Sequence, residues 1–338
     1  MTAKPAAAAP ATAPFPDLNS AREAWGLLPS GLGLSLGGAH GPGHVDRQQG
    51  WVSLAERLGM HSVWLPEMHF APGVCPAPLI ELAGFAAQTQ NLRFGTTSLL
   101  LPLHPPEEIA AEIAALDQIS KGRLLIGLGR GFQKKMLAAF EVPPAEKRDR
   151  FDEALDRILA LWAEGQAQGT ALAPLQKPHP PLAVAAFGPK GLAQSARRGL
   201  PYLASPVETF DQIADNQERH RADLPDPKIP ALSLVMRTVF VSEDERELDR
   251  VRDALAAEMN GRRAGMPKAV NQALDAPLSE RMVVGNAEAV TEQLRRERAR
   301  LGLDLLIVRP QISGIDQAVL EGSLSRLAEE IWPTVVNA

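Results

Sequence analysis

The chain has 338 residues, 45% hydrophobic and 22% charged, with 35 Lys and Arg against 40 Asp and Glu and a formal charge of −5. That balance excludes broad electrostatic capture of nucleic acid or an anionic membrane and leaves room only for local basic sites. A single cysteine, Cys75, excludes an internal disulfide and any Cys-rich zinc or iron–sulfur centre, and suits a reducing cytoplasm.

Residues 1–27 open on an Ala/Pro run broken by Pro5, Pro10, Pro14 and Pro16. They read as a flexible tail outside the fold rather than a secretion signal. Residues 28–338 read as one domain, with no apolar run near the roughly 20 residues of a membrane span. From Gly31 onward, short apolar runs alternate with amphipathic stretches, the pattern of a parallel α/β sheet. Strands are predicted over Leu32–Leu36, Ser62–Leu65, Leu92–Leu101, Leu124–Leu128, Leu182–Phe187, Tyr202–Ser205, Leu232–Val241 and Asp304–Val308. Helices are predicted over Gln48–Leu58, Pro78–Gln88, Glu107–Ile119, Arg148–Trp162 (ending near Gly165), Lys190–Arg198, Thr209–Arg221, Glu245–Glu258, Ala287–Arg300 and Ile315–Ile331. Eight strands with intervening helices predict a (β/α)8 TIM barrel. The rival, a doubly wound sheet, needs G-x-G-x-x-G opening a helix. Neither GGAHGPGH after the first strand nor Gly127-x-Gly129-x-Gly131 after the fourth fits it. Residues 260–284, with Gly261, Gly265, Pro267 and Pro277, read either as a lid over the barrel mouth or as an irregular surface excursion.

Barrel enzymes collect their chemistry at the C-terminal strand ends. After the second strand, PEMHF offers Glu67, Met68 and His69; the third carries Thr96, Thr97 and Ser98 and leads to His104. Arg130 follows the fourth, and FGPKG after the fifth holds Gly188, Lys190 and Gly191. A planar guanidinium facing a glycine-rich helix start would clasp a phosphate. The alternatives are an Arg130–carboxylate pair across the mouth and a solvated Lys190. Only His69 and His104 stand at strand ends, with no H-x-H on the first strand and no G-x-S-x-G. Neither a zinc hydrolase nor a serine nucleophile is supported.

The runs SVWLPEMHF, LRFGTTSLLLPLHPPEEIAAEIAALDQISKGRLLIGLGRGF and MVVGNAEAVTEQLRRERARLGLDLLIVRP resemble the bacterial luciferase-like flavin monooxygenase family. The likeness runs from about Gly31 to Pro333 and is most specific over Pro102–Gly131. It implies a TIM barrel that binds reduced FMN or, in a sister branch, a deazaflavin coenzyme. It also implies that Arg130 grips the flavin phosphate, with Gly188, Lys190 and Gly191 alongside. Thr97 and Ser98 match the family's non-prolyl cis peptide beside the flavin ring, and Glu67 and His69 match its catalytic, substrate-side E-x-H-F. Two departures stand out. Met68 replaces a catalytic histidine of luciferase, and the hydroxyls that luciferase offers the phosphate are replaced by Gly188, Gly191 and Lys190.

The implied activity is that of a two-component monooxygenase. A separate reductase supplies reduced FMN, O2 converts it to a flavin C4a-hydroperoxide, and a small organic substrate receives oxygen in a dry pocket of Leu65, Met68, Phe70 and Phe132. Deazaflavin-dependent hydride transfer and non-catalytic flavin binding are the alternatives. The family's dimer face falls on Ala83, Ala86, Ala87, Ala110, Ala111, Ala114 and Ala115, implying a cytoplasmic homodimer with no metal, nucleic acid or membrane partner.

Overall fold

The computed structural model describes residues 15–37, 41, 43–70, 73–261 and 268–337. Its strands are β1 (Gly31–Ser35), β2 (Ser62–Leu65), β3 (Arg93–Thr96), β4 (Leu99–Leu100), β5 (Leu124–Gly129), β6 (Leu182–Ala185), β7 (Tyr202–Ala204), β8 (Ser233–Val241), β9 (Met282–Gly285) and β10 (Leu303–Val308). Parallel pairing runs β1-β2-β3-β5-β6-β7-β8, and β10 joins β8 to β1, with Gly31 opposite Leu305 and Leu34 opposite Val308. With β3 and β4 taken as one interrupted strand, eight strands close the (β/α)8 barrel.

The strands are buried on both faces, which explains their nearly continuous apolar runs. Outward side chains pack under the helices, while Trp64, Leu125, Ala183, Leu203, Leu234, Met236, Leu305 and Ile307 fill the interior. Trp64 sets the local glycines: a β-carbon on Gly95 would overlap its indole, and one on Gly33 would stand 2.9 Å from Nε1. The indole N–H donates to Ser62 Oγ at 2.7 Å, satisfying the one polar atom it brings into the core.

The expected tail is partly structural. Residues 1–14 lie outside the described residues, but Leu18–Trp25 form a helix, capped by Asp17 accepting from the Ser20 N–H at 2.8 Å and ended by Gly26 at φ +71°. Ala21, Trp25 and Leu27 join the interior cluster from below, so this helix is the barrel floor. Arg22 Nε donates to Asp304 Oδ1 at 2.7 Å, and the Trp25 carbonyl meets His61 Nε2 at 2.9 Å. Apart from Pro16, the prolines that suggested a tail all precede Phe15.

Other boundaries moved. The predicted strand Leu92–Leu101 is broken at Thr97–Ser98, whose peptide is cis. The helix expected over Arg148–Trp162 spans Lys147–Gln168 and stops at Gly169, φ +66°. Gly165 does not end it but lies against Leu172 and Ala173, where a β-carbon would crowd the backbone. The closing helix begins at Gln317 and passes through a π-turn at Leu327–Ile331 before Trp332–Val336. Within 260–284, residues 262–267 lie outside the described residues, Lys268–Ala273 is a helix, and Met282–Gly285 is the unforeseen β9. It extends the sheet from the far half of β8, with Thr238 opposite Met282 and Val241 opposite Gly285. Among the described residues, no helix is long and apolar enough to cross a membrane.

Candidate active site

A cavity of about 390 Å³ opens where β2 through β8 end. Of the residues singled out in the sequence, Glu67, Met68, Thr97, Ser98, Arg130, Phe132 and Gly191 line it. His69, Phe70, Gly188 and Lys190 do not: Lys190 is exposed on the outer side of its helix start, and Phe70 is 58% exposed. Leu65 is buried in the surrounding core.

One wall is the break between β3 and β4. Thr97 N–H donates to the Leu65 carbonyl at 2.8 Å, and Thr96 Oγ1 donates to the Gly127 carbonyl at 2.8 Å. β5 approaches so closely that a β-carbon on Gly127 would overlap the Thr96 carbonyl oxygen, and one on Gly129 the Ser98 hydroxyl. The glycines of G-x-G-x-G thus make room for protein rather than for a nucleotide.

At one end of the cavity, cations converge. Arg130 Nη1 donates to Gln194 Oε1 at 2.8 Å and Nη2 to the Ala185 carbonyl at 2.7 Å, while its guanidinium lies 5.8 Å from the Phe151 ring centre. Burial, reinforced by nearby Arg148 and opposed by Asp152, pushes Arg130 down to about 10, so it remains a cation at neutral pH. Gly191 lets this guanidinium lie flat, since a β-carbon there would stand 3.1 Å from Nη2. Lys147 Nζ donates to the Gly131 carbonyl at 2.9 Å, and burial, then Arg148 and Arg130, lower its pKa. The Nε of Arg148 is buried with no hydrogen-bond partner among the described residues. Lys147 and Arg148 open the helix Lys147–Gln168, where the helix dipole disfavours positive charge. Two cations thus share a helix start, and one buried donor there is unused among the described residues. Neither residue is among the site candidates of the sequence; the signal it carries for them is a Lys-Arg pair at a helix N-terminus.

At the other end, Glu67 is the hub. Its side chain is fully buried, and Oε1 accepts from His69 Nε2 at 2.8 Å and His104 Nε2 at 2.9 Å, while Oε2 accepts from the Leu100 N–H at 2.7 Å. The His69 ring packs on Phe140 at 4.8 Å and Phe70 at 5.8 Å. Met68 reaches across the cavity, its sulfur accepting from Gln133 Nε2 at 3.6 Å.

Behind the wall at Ser205 lies a second buried network. Arg237 donates to the Ser205 carbonyl at 3.0 Å, and Glu208 accepts from the Ser205 N–H at 2.6 Å, from Asn216 and from the Tyr202 hydroxyl. Burial pushes Arg237 down to about 10 and, despite these donors, pushes Glu208 up. Burial likewise raises the Cys75 thiol, so it stays protonated in the core. Among the described residues, no group of three or more His, Cys, Asp or Glu side chains could hold a metal ion.

Comparison with known proteins adds the family. Residues 30–305 match the family model described as luciferase-like monooxygenase. The oxygenase component of flavin-dependent trigonelline monooxygenase from Acinetobacter baylyi is 28% identical over 271 residues, 72% of this chain and 72% of its own length. Monooxygenase RslO1 from Streptomyces bottropensis superposes with a TM-score of 0.76 at 25% identity, covering 90% of this chain and 99% of the other. The oxygenating constituent of 3,6-diketocamphane monooxygenase from Pseudomonas putida, solved with FMN, shares the fold at a TM-score of 0.73 and 20% identity, covering 90% and 98%. The chain belongs to the luciferase-like monooxygenase family and is an oxidoreductase of that class.

Proposed function

We propose that the cavity binds reduced FMN, its phosphate held by Arg130, Lys147 and Arg148 and its ring laid against Thr97 and Ser98. In this reading the chain is the oxygenase component of a two-component monooxygenase. The observation that carries it is the three-cation cluster at one end of an otherwise largely apolar cavity, with a buried Arg148 N–H left unused. A dianionic phosphate supplies the acceptors this cluster lacks. The flavin-dependent relative named for its oxygenase component supports the same class. Gly191 keeps its place in this clasp by leaving space for Arg130; Lys190 and Gly188 do not contribute to it.

Bound flavin would supply the activation of O2, and a separate reductase the reduced cofactor. The chain's own residues orient and exclude water. Met68, Phe132, Met136 and Val270 form the apolar side facing a small organic substrate, and Val270 ties the 268–273 helix to the cavity as the described part of the lid candidate. Glu67, rather than His69, stands in the cavity wall, with its side chain buried there, and His69 acts through it.

Protomers pair, in this proposal, through the outward face of the helix Pro78–Ala87, where Ile80 is 73% exposed beside Gly84 and Ala87, together with exposed Ala115 and Ile119. Ala86, Ala110 and Ala114 are buried inside the protomer.

The test is titration with reduced FMN and with a reduced deazaflavin while O2 uptake is followed. Tight FMN binding with O2-dependent product formation supports the proposal. Binding of the deazaflavin alone, without O2 uptake, establishes hydride transfer instead. Monomeric mass by light scattering at micromolar concentration would remove the dimer.

A further inference from the structure

We propose that His104 is a positioning residue of this site: together with His69 it fixes the Glu67 carboxylate, and through that carboxylate it holds the Thr97–Ser98 wall of the cavity.

Glu67 grips the broken strand on both sides of Ser98. Its backbone N–H donates to the Ser98 carbonyl at 3.1 Å, and its Oε2 accepts from the Leu100 N–H at 2.7 Å. The strand is continuous in neither β3 nor β4 at this point, so these two bonds substitute for ladder bonds that the break removes. A buried carboxylate persists only where donors compensate its lost hydration. Three are present here, and two of them are imidazoles on the same oxygen, Oε1. With three acceptor positions taken, Glu67 is a strut rather than a free base.

The two imidazoles differ. His69 is fixed by ring packing on Phe140 and Phe70 and is 12% exposed. His104 follows the turn Leu101–Leu103, its N–H donating to the Leu101 carbonyl at 3.2 Å, and is 25% exposed, so it exchanges protons with solvent. The groups around it are Glu67, shared with His69, from the end of β2, and Glu108 and Glu112 from the helix Pro106–Ile119. Burial opposes its charge, but these carboxylates outweigh burial and raise its pKa above 6.5. Protonation turns a neutral donor into an ion pair with Glu67 and tightens the wall.

The effect on flavin rests on the reading of the cavity given above; the effect on the wall does not. The experiment therefore has two arms, with His104→Leu and His104→Gln, the latter placing an N–H donor near the Nε2 position. In the first arm, hydrogen exchange of the segment 97–104 is measured without ligand. His104→Leu is expected to speed exchange there about tenfold, the loss of one charge-assisted hydrogen bond, while segment 18–27 keeps its rate and His104→Gln restores protection. In the second arm, FMN affinity is followed from pH 5.5 to 8.5. Wild-type affinity is expected to fall as pH rises through the His104 pKa, His104→Gln to bind without that pH dependence, and His104→Leu to bind about tenfold more weakly throughout. Unchanged exchange over 97–104 in His104→Leu overturns the proposal, as does a wild-type pH profile in His104→Gln. Absence of flavin binding by the wild type overturns the cavity reading instead, and the exchange arm then decides the clamp alone.

Discussion

Gly129 lies against Ser98 so closely that a β-carbon would overlap the serine hydroxyl. One strand has given up a side chain so that the next can bend into the cavity wall.

Gly129→Ala is accordingly expected to lose about 1–3 kcal/mol of stability, the usual cost of overpacking, and to displace Thr97–Ser98. A β-carbon in Gly191→Ala would meet the Arg130 guanidinium at 3.1 Å and the Ala186 β-carbon at 3.3 Å. It should cost less stability than Gly129→Ala, whose β-carbon would overlap Ser98 outright, yet weaken FMN binding by turning the guanidinium. Urea unfolding and FMN titration on both variants separate the two outcomes.

Removing a phosphate cation should act differently. Arg130→Ala and Arg148→Ala are each expected to weaken FMN binding by about 2 kcal/mol, the scale of a hydrogen bond to a charged group, with the loss shrinking at high salt. Lys190→Ala should leave affinity unchanged, because Lys190 is exposed and outside the cavity. Fluorescence titration checks all three; a loss confined to Lys190→Ala would return the phosphate to the start of the helix Pro189–Arg197.

Acid stability should be limited by His61. Burial, opposed by its bond to the Trp25 carbonyl, pushes it down to about 4. A depressed histidine contributes stability that is complete above its ordinary pKa of 6.5 and drains as pH falls toward the folded value. The loss over that window is about 3 kcal/mol, and buried His179 and His220, also lowered, add to it. His104, raised, works in the opposite direction, stabilising at low pH and losing its contribution as pH rises through its folded pKa. Unfolding free energies at pH 7.5 and 4.5 are expected to differ by less in His61→Gln than in the wild type.

The floor helix makes a claim about the N-terminus. Trp25 is fully buried, so Trp25→Ala should cost about 3–5 kcal/mol, and deletion of residues 1–27 should cost at least as much. Thermal unfolding decides; a 28–338 protein with the wild-type midpoint would make the helix an ornament.

The barrel was legible because its strands are buried on both faces and its helices on one, which imposes two distinct periods on the chain. β9 escaped because it has four residues, Met282–Gly285, ends in a glycine and looks like a helix approach. Glu67, Thr97, Ser98 and Arg130 were legible from strand ends and family likeness. Lys147 and Gln133 were not, since each reaches the site from a separate stretch of chain, a helix start and a loop, and His104 was legible as a strand-end histidine but not as a partner of Glu67. Lys190 and Phe70 stand outside the cavity lining although Gly191 and Met68 belong to it: Lys190 lies on a helix, where one residue turns the side chain by about 100°, and Phe70 has left the strand with a left-handed backbone, φ +60°.

Because Trp25 and its neighbours stop the barrel from below, whatever reaches the cavity enters and leaves across the same rim. For two molecules sharing such a dead-end pocket, order is imposed by geometry: the one that lies deeper goes in first and comes out last. Its departure then waits on the other's.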